Sequence, residues 1–226
     1  TYANIPSTHV ISEPDIETVY SIPLDLEKGQ LGLKILKELK LKPKKSLNLN
    51  EWKRLVSRIE NPRKHVKIAI VGKYIDIGDY KLSDSYVSIN QSLLHAGAVL
   101  NVGVDIHWVD AKSFEKSKNK LSELKDFDGI IVPGGFGASG VEGKIKAINF
   151  ARTKNKPYLG LCYGLQLAIV EYARNVCKMR NANTTENSKT KFPVIDILPT
   201  QRKIMEKSDY GGTMRLGAYA AVLKEK

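Results

Sequence analysis

The chain has 226 residues, room for one full domain with extra segments, or for two small domains at ~100–200 residues each. Its 42% hydrophobic and 27% charged residues exclude a disordered or fibrous chain. No apolar run approaches the ~18 residues of a membrane span, and the two cysteines, Cys162 and Cys177, exclude a disulfide scaffold and point to a reducing, cytoplasmic setting. The net charge of +12 is concentrated in residues 34–64, where eleven Lys/Arg face three Glu. No recognition-helix signature or RNA-binding aromatic motif accompanies that cluster. It therefore reads as a solvated basic linker and helix face, with no nucleic acid partner expected.

Taken in order, residues 1–45 carry too little apolar mass to close a core. Leu33, Ile35, Leu36 and Leu39 predict a helix over 31–41. Lys42-Pro43-Lys44-Lys45-Ser46 reads as a linker. Asn50 is a candidate cap for a short helix from Glu51 to Ile59. From His65 the pattern changes. Continuous apolar runs at Val66–Val71, Val102–Trp108, Gly129–Val132 and Pro157–Leu161 alternate with helical patterns. The first helix is capped by Ser83 or Asp84, carries Val87, Ile89, Leu93 and Leu94, and stops at Gly97. The second spans Glu142–Lys154, with Ile145, Ile148 and Phe150 apolar. The third spans Tyr163–Asn175, with Leu165, Leu167, Ala168, Ile169 and Tyr172 apolar. Strands that are apolar throughout and alternate with helices predict an α/β fold with an open, doubly wound, mostly parallel sheet, whose function sits at the carboxyl ends of the strands.

Gly160-Leu161-Cys162-Tyr163-Gly164 lies where a buried strand meets a helix. This is a nucleophile elbow with Cys in place of Ser. The sharp turn strains the nucleophile, the flanking glycines let strand and helix backbones approach, and the helix N-terminus favours a thiolate. Cys177 has no such flank and reads as a buried small hydrophobe. Pro133-Gly134-Gly135-Phe136-Gly137 follows the strand 129–132 and can turn backbone N–H groups toward one point. The N–H groups of Gly135 and Tyr163 would then hold a developing oxyanion. Ala138…Gly143-Lys144 is similar to a phosphate-binding loop, but Ala138 and Ile145 replace the first Gly and the magnesium-binding Ser/Thr. The scattered His and Cys residues form no metal-site spacing. Three readings stay open on these residues: an amide-hydrolysing enzyme, another Cys-elbow hydrolase of the same class, and a non-catalytic remnant or assembly module.

The pairing of Pro133–Gly137 with Gly160–Gln166 resembles the class I glutamine amidotransferases. Flanking segments are similar to the CTP synthase family: Asp15–Tyr20 with Ile22-Pro23, Val71–Tyr74, Ser83–Tyr86, Gly140–Gly143, Asn181–Glu186 and Ser208–Gly217. The resemblance implies that residues 1–45 are the tail of a synthetase domain, that 46–64 are a linker with a short helix, and that 65–226 are a glutaminase domain lacking its last part. It implies Cys162 as nucleophile, with Gly135, Tyr163, Gly164, Leu165 and Gln166 contacting L-glutamine and Glu186 binding its amino group. It further implies amination of UTP with ATP and Mg2+ at the synthetase domain, GTP as an activator contacted by Arg215, and a dimeric or tetrameric homo-oligomer. Within this chain it implies neither cofactor nor metal. The family pairs its Cys with a downstream His-x-Glu. The histidines here are His9, His65, His95 and His107, all before Cys162. The isolated chain is therefore expected to be inactive. Ser139 stands where many relatives carry Arg, which bears on the GTP response, and Tyr163 replaces a more usual aliphatic residue.

Overall fold

The structure, a computed structural model, describes residues 5–12, 15–72, 76–77, 80–81, 86–135 and 139–197. Its elements in chain order are α1 (Ile22–Lys28), α2 (Leu31–Glu38), α3 (Asn50–Glu60), β1 (His65–Gly72), β2 (Asp76–Ile77), β3 (Tyr80–Lys81), α4 (Val87–Leu100), β4 (Gly103–Asp110), α5 (Ala111–Lys116), β5 (Gly129–Val132), α6 (Val141–Thr153), β6 (Tyr158–Gly160), α7 (Tyr163–Asn175), β7 (Ala182–Thr184) and β8 (Phe192–Ile195). The main sheet has the order β4-β1-β5-β6. Leaving aside the β2–β3 hairpin, this is the strand order of a doubly wound, flavodoxin-like sheet. β5 and β6 pair in parallel, with Ile131 opposite Leu159 and Val132 opposite Gly160.

The chain divides into two compact units. The first comprises residues 1–70, 74–108 and 125–129. In it Tyr20 ties the N-terminal segment to two helices. Its hydroxyl donates to Gln91 Oε1 at 3.0 Å, it meets His95 Nε2, and its carbonyl accepts from Trp52 Nε1 at 2.8 Å. Pro23 near the start of α1 presets the helical φ of the segment after Tyr20. Three expectations differ here. The helix expected over 31–41 ends at Glu38. Asn50 is the first residue of α3 rather than its cap, and its N–H is taken by Asn48 Oδ1 at 3.0 Å. Gly97 does not stop α4. It lies inside the helix, where glycine is needed for close approach, since a Cβ there would sit 2.4 Å from Val102 O, and the stop is Asn101 in the left-handed region at φ +55°. Ser83 and Asp84 lie outside the described residues.

The second unit comprises residues 71–73, 109–124 and 130–226. Ala111, Phe114, Leu124, Val132, Ala147, Leu167 and Val170 are fully buried in it. Ile145, Ile148 and Phe150 are buried as the helical spacing of α6 predicts. α7 is apolar on several faces, and only part of that surface is covered: Leu167 and Val170 are buried, while Leu165, Ile169 and Tyr172 are exposed. α6 and α7 are also joined by a polar cluster. The buried Glu171 carboxylate accepts from Arg152 Nη2 (2.8 Å), Arg152 Nε (2.9 Å), Asn149 Nδ2 (2.7 Å) and Asn175 Nδ2 (3.0 Å). Burial alone would raise the Glu171 pKa. The donors from Arg152, Asn149 and Asn175 outweigh it and hold the group below the ordinary carboxylate value.

Candidate functional site

The site grows from the carboxyl ends of β5 and β6. After β6, Leu161 donates its N–H to Val132 O at 3.0 Å, and the chain turns into α7 at Cys162. Cys162 has φ +53° and ψ −110°, a region that costs a non-glycine residue ~1–3 kcal/mol and persists only where its surroundings impose it. The flanking glycines show what imposes it. A Cβ on Gly164 would lie 1.9 Å from Val132 O, and one on Gly160 would lie 2.7 Å from Leu165 N and from Tyr158 Oη. The helix start is thus pressed against β5, as the elbow pattern requires. Tyr158 reinforces it by donating its hydroxyl to Gly164 O at 2.8 Å. Burial, with the Glu171 charge second, keeps that phenol protonated well above its usual range.

The Cys162 side chain is exposed, open to a solute rather than sunk among aliphatic neighbours. Gly164 N donates to Leu161 O, and Leu165 N and Gln166 N donate to Cys162 O, at 2.9–3.2 Å. Among the described residues the Tyr163 amide has no such acceptor. It stands at the first position of a 13-residue helix, where unsatisfied N–H groups and the macrodipole attract negative charge. Cys177 is exposed as well, contrary to the buried position expected of it. α7 ends at Asn175, so Cys177 lies in the turn leaving the helix and off its packed face.

Gly134 and Gly135 complete the near side. A Cβ on Gly134 would come within 3.3 Å of Cys162 Cβ and 3.6 Å of Sγ, so the exit of β5 borders the sulfur directly. Gly135 has φ +143°, a conformation open essentially to glycine. Phe136, Gly137 and Ala138 lie outside the described residues. The lysine of the apparent phosphate loop has a different task. Lys144 is 1% exposed, and its ammonium donates to Pro133 O at 3.2 Å and lies 3.5 Å from Gly134 O. In a trans peptide C=O and N–H point in opposite directions. A cation held on Gly134 O therefore fixes the direction of the Gly135 N–H. Composition and motif matching missed this role. The legible signal was that Lys144 falls with Val141, Ile145 and Ile148 on the buried face of α6.

Glu186 lies beyond β7 in a turn built by the Asn-rich segment. Thr184 Oγ1 accepts from Glu186 N (3.3 Å), Thr184 O accepts from Asn187 N (3.1 Å), and Asn183 Nδ2 donates to Ser188 Oγ (2.9 Å). Asn183 and Thr184 are buried polar residues, which explains why a short polar run sits there. β7 pairs in parallel with β8, Ala182 opposite Phe192, a pair that no sequence signal foretold. Glu186 itself is exposed but acts on Tyr163. Burial first, and then the charges of Glu186 and Glu142, push the Tyr163 phenol up to about 12. Cys162, Tyr163, Gly134, Gly135 and Glu186 thus belong to one unit of the chain. Arg215 and the segment 208–217 lie outside the described residues. Among the described residues no group of three or more His, Cys, Asp and Glu could hold a metal ion, and no helix is long and apolar enough to cross a membrane.

Comparison with known proteins adds the family context. A family model described as glutamine amidotransferase class-I matches residues 81–218. A CTP synthase of Sulfolobus acidocaldarius is 49% identical over 225 residues, covering 99% of this chain and 41% of that protein. A CTP synthase of Methanocaldococcus jannaschii is 45% identical over 230 residues with the same two coverages. The chain thus spans 41% of the length of either relative. Among solved structures, the glutaminase domain of the Trypanosoma brucei CTPS with bound acivicin superposes with a TM-score of 0.56 at 39% identity, over 62% of this chain and 53% of that one.

Proposed function

The chain belongs to the class I glutamine amidotransferase family, and from that premise we propose that Cys162 is the nucleophile that takes ammonia from glutamine for the synthesis of CTP. The Cys162 thiolate attacks the side-chain amide carbon. A C–S bond forms, and the carbonyl oxygen becomes an oxyanion facing the N–H groups of Gly135 and Tyr163. Collapse breaks the C–N bond, the nitrogen takes up a proton and leaves as ammonia, and water then cleaves the glutamyl thioester. Gly164, Leu165 and Gln166 line the glutamine beside the nucleophile, and Glu186 pairs with its amino group. The observation that carries the reading is the exposed Cys162 in a strained turn, bordered by Gly134 at the start of a helix.

The remaining parts of the reaction belong to the longer protein. We assign to it the amination of UTP with ATP and Mg2+, activation by GTP through the Arg215 segment, a homo-oligomeric state and a cytoplasmic location. The 226 residues carry no His after Cys162. Turnover by this chain alone is accordingly expected to be negligible, because proton delivery to the leaving amine lacks its usual donor. The family match disfavours an unrelated Cys-elbow hydrolase. The test is Cys162→Ala in the longer protein: glutamine-dependent CTP formation should vanish while formation from free ammonia persists. Loss of both activities would contradict the assignment.

A further inference from the structure

Glu186 can select for an α-amino group only if its turn is held at a fixed distance from Cys162. That turn is carried by β7, a strand of three residues that pairs with the four-residue β8. So small a ribbon is marginal by itself. One side chain ties it to the helices of the site. Arg174 Nε, on the last turn of α7, donates to Ala182 O at 2.6 Å, the first residue of β7. Its Nη1 lies 2.9 and 3.0 Å from the two oxygens of Glu142, in the first turn of α6. The Arg174 side chain is 18% exposed and the Glu142 side chain 56%, so solvent screens the ion pair, and the part-buried bond to Ala182 O is the firmer of the two ties. α7 is the helix that Cys162 begins. α6 carries Lys144, whose ammonium holds the carbonyls before Gly135. A single guanidinium therefore joins the nucleophile helix, the oxyanion-side helix and the strand that delivers Glu186.

We propose that Arg174, braced by Glu142, is a positioning residue for amino-acid recognition: it sets where the Glu186 turn stands relative to Cys162. This rests on the glutaminase reading of the site. The planar fork of arginine suits the task, since its donors diverge in fixed directions toward a carbonyl and a carboxylate. A lysine ammonium in its place would be a point charge on a flexible stem.

The test uses the 226-residue chain and needs no turnover. Cys162 is alkylated with iodoacetamide and followed by peptide mass spectrometry, which separates it from Cys177. The readout is the concentration of glutamine, and of its desamino analogue glutaramate, that half-protects Cys162. With Glu186 in place, glutamine should protect at about 10- to 100-fold lower concentration, the range for one hydrogen bond to a charged group. Glu186→Gln should collapse that ratio. Arg174→Met should collapse it to the same degree, with no further loss in the double variant and no change in the unprotected alkylation rate. A wild-type ratio in Arg174→Met overturns the proposal. If that variant alkylates abnormally without ligand, Glu142→Gln decides: a several-fold fall in the ratio supports the brace, and an unchanged ratio overturns it. Equal protection of the wild-type chain by glutamine and glutaramate would instead sink the role of Glu186, which separates the two failures.

Discussion

Gly164→Ala puts the architecture of the elbow to a direct test. The added Cβ would meet Val132 O at 1.9 Å, Val132 C at 2.8 Å and Val132 Cβ at 3.2 Å. The first two are backbone atoms of a strand that is buried along its whole length, so no flexible tip can swing aside. To restore ordinary van der Waals contact near 3.4 Å, the start of α7 must retreat from β5 by about 1.5 Å. Overpacking of this kind costs ~1–3 kcal/mol. At ~2–4 °C per kcal/mol for a chain of this size, Tm should fall by roughly 2–12 °C. The retreat also moves Cys162 away from Gly134, and a displacement of ~1 Å at a reacting group is worth about 10²-fold in rate. Calorimetry gives the first quantity. Acylation of Cys162 by a glutamine-like electrophile, followed by mass spectrometry, gives the second. Gly32→Ala is the matched control: Gly32 lies in α2 with nothing within 4 Å of its would-be Cβ, so the same added methyl should stabilise by about 0.5–1 kcal/mol. Unchanged Tm and unchanged acylation in Gly164→Ala would refute the claim that helix and strand backbones are pressed together at the elbow.

Lys144→Ala should destabilise the chain by about 1–3 kcal/mol, because the Pro133 and Gly134 carbonyls lose a charged donor in a buried setting. Denaturant titration measures this, and a variant as stable as wild type would show that the ammonium contributes nothing there. Glu171 gives a pH prediction. Its folded pKa lies below the ordinary carboxylate value of 4.5, so its contribution to stability is complete above the unfolded pKa and is lost as pH falls through the folded one. Glu171→Gln should therefore be less stable than wild type at neutral pH and should lose less Tm on acidification below about pH 4.5. Parallel Tm-versus-pH curves for the two proteins would count against the Arg152–Glu171 account.

Much of this chain was legible one residue at a time. The apolar run Gly129–Val132 is a strand with those limits, and Tyr163–Asn175 is a helix with those limits. Period-2 and period-3.6 patterns are local properties, and a buried parallel strand must be apolar throughout. The elbow was legible for the same reason: only glycine tolerates the approaches at 160 and 164, so their identity records the contact. Three features were not legible, because each depends on how another segment of the chain is placed against the residue, which local residue type does not record. Gly97 looks like a helix stop until Val102 O is seen to fold back against it. β7 and β8 are too short to show a period. Arg174 looks like an ordinary surface cation, yet its guanidinium donates to the Ala182 carbonyl; the helical spacing of Lys144 marks it as facing inward, but not that its ammonium reaches the Pro133 carbonyl. Residue type and spacing determined that a cysteine stands at a strained strand-to-helix junction. Which carbonyls the Lys144 and Arg174 cations reach, and so which elements they tie together, was decided only by tertiary structure, since a hydrogen bond depends on distance and direction between groups whose separation in sequence carries no information about either.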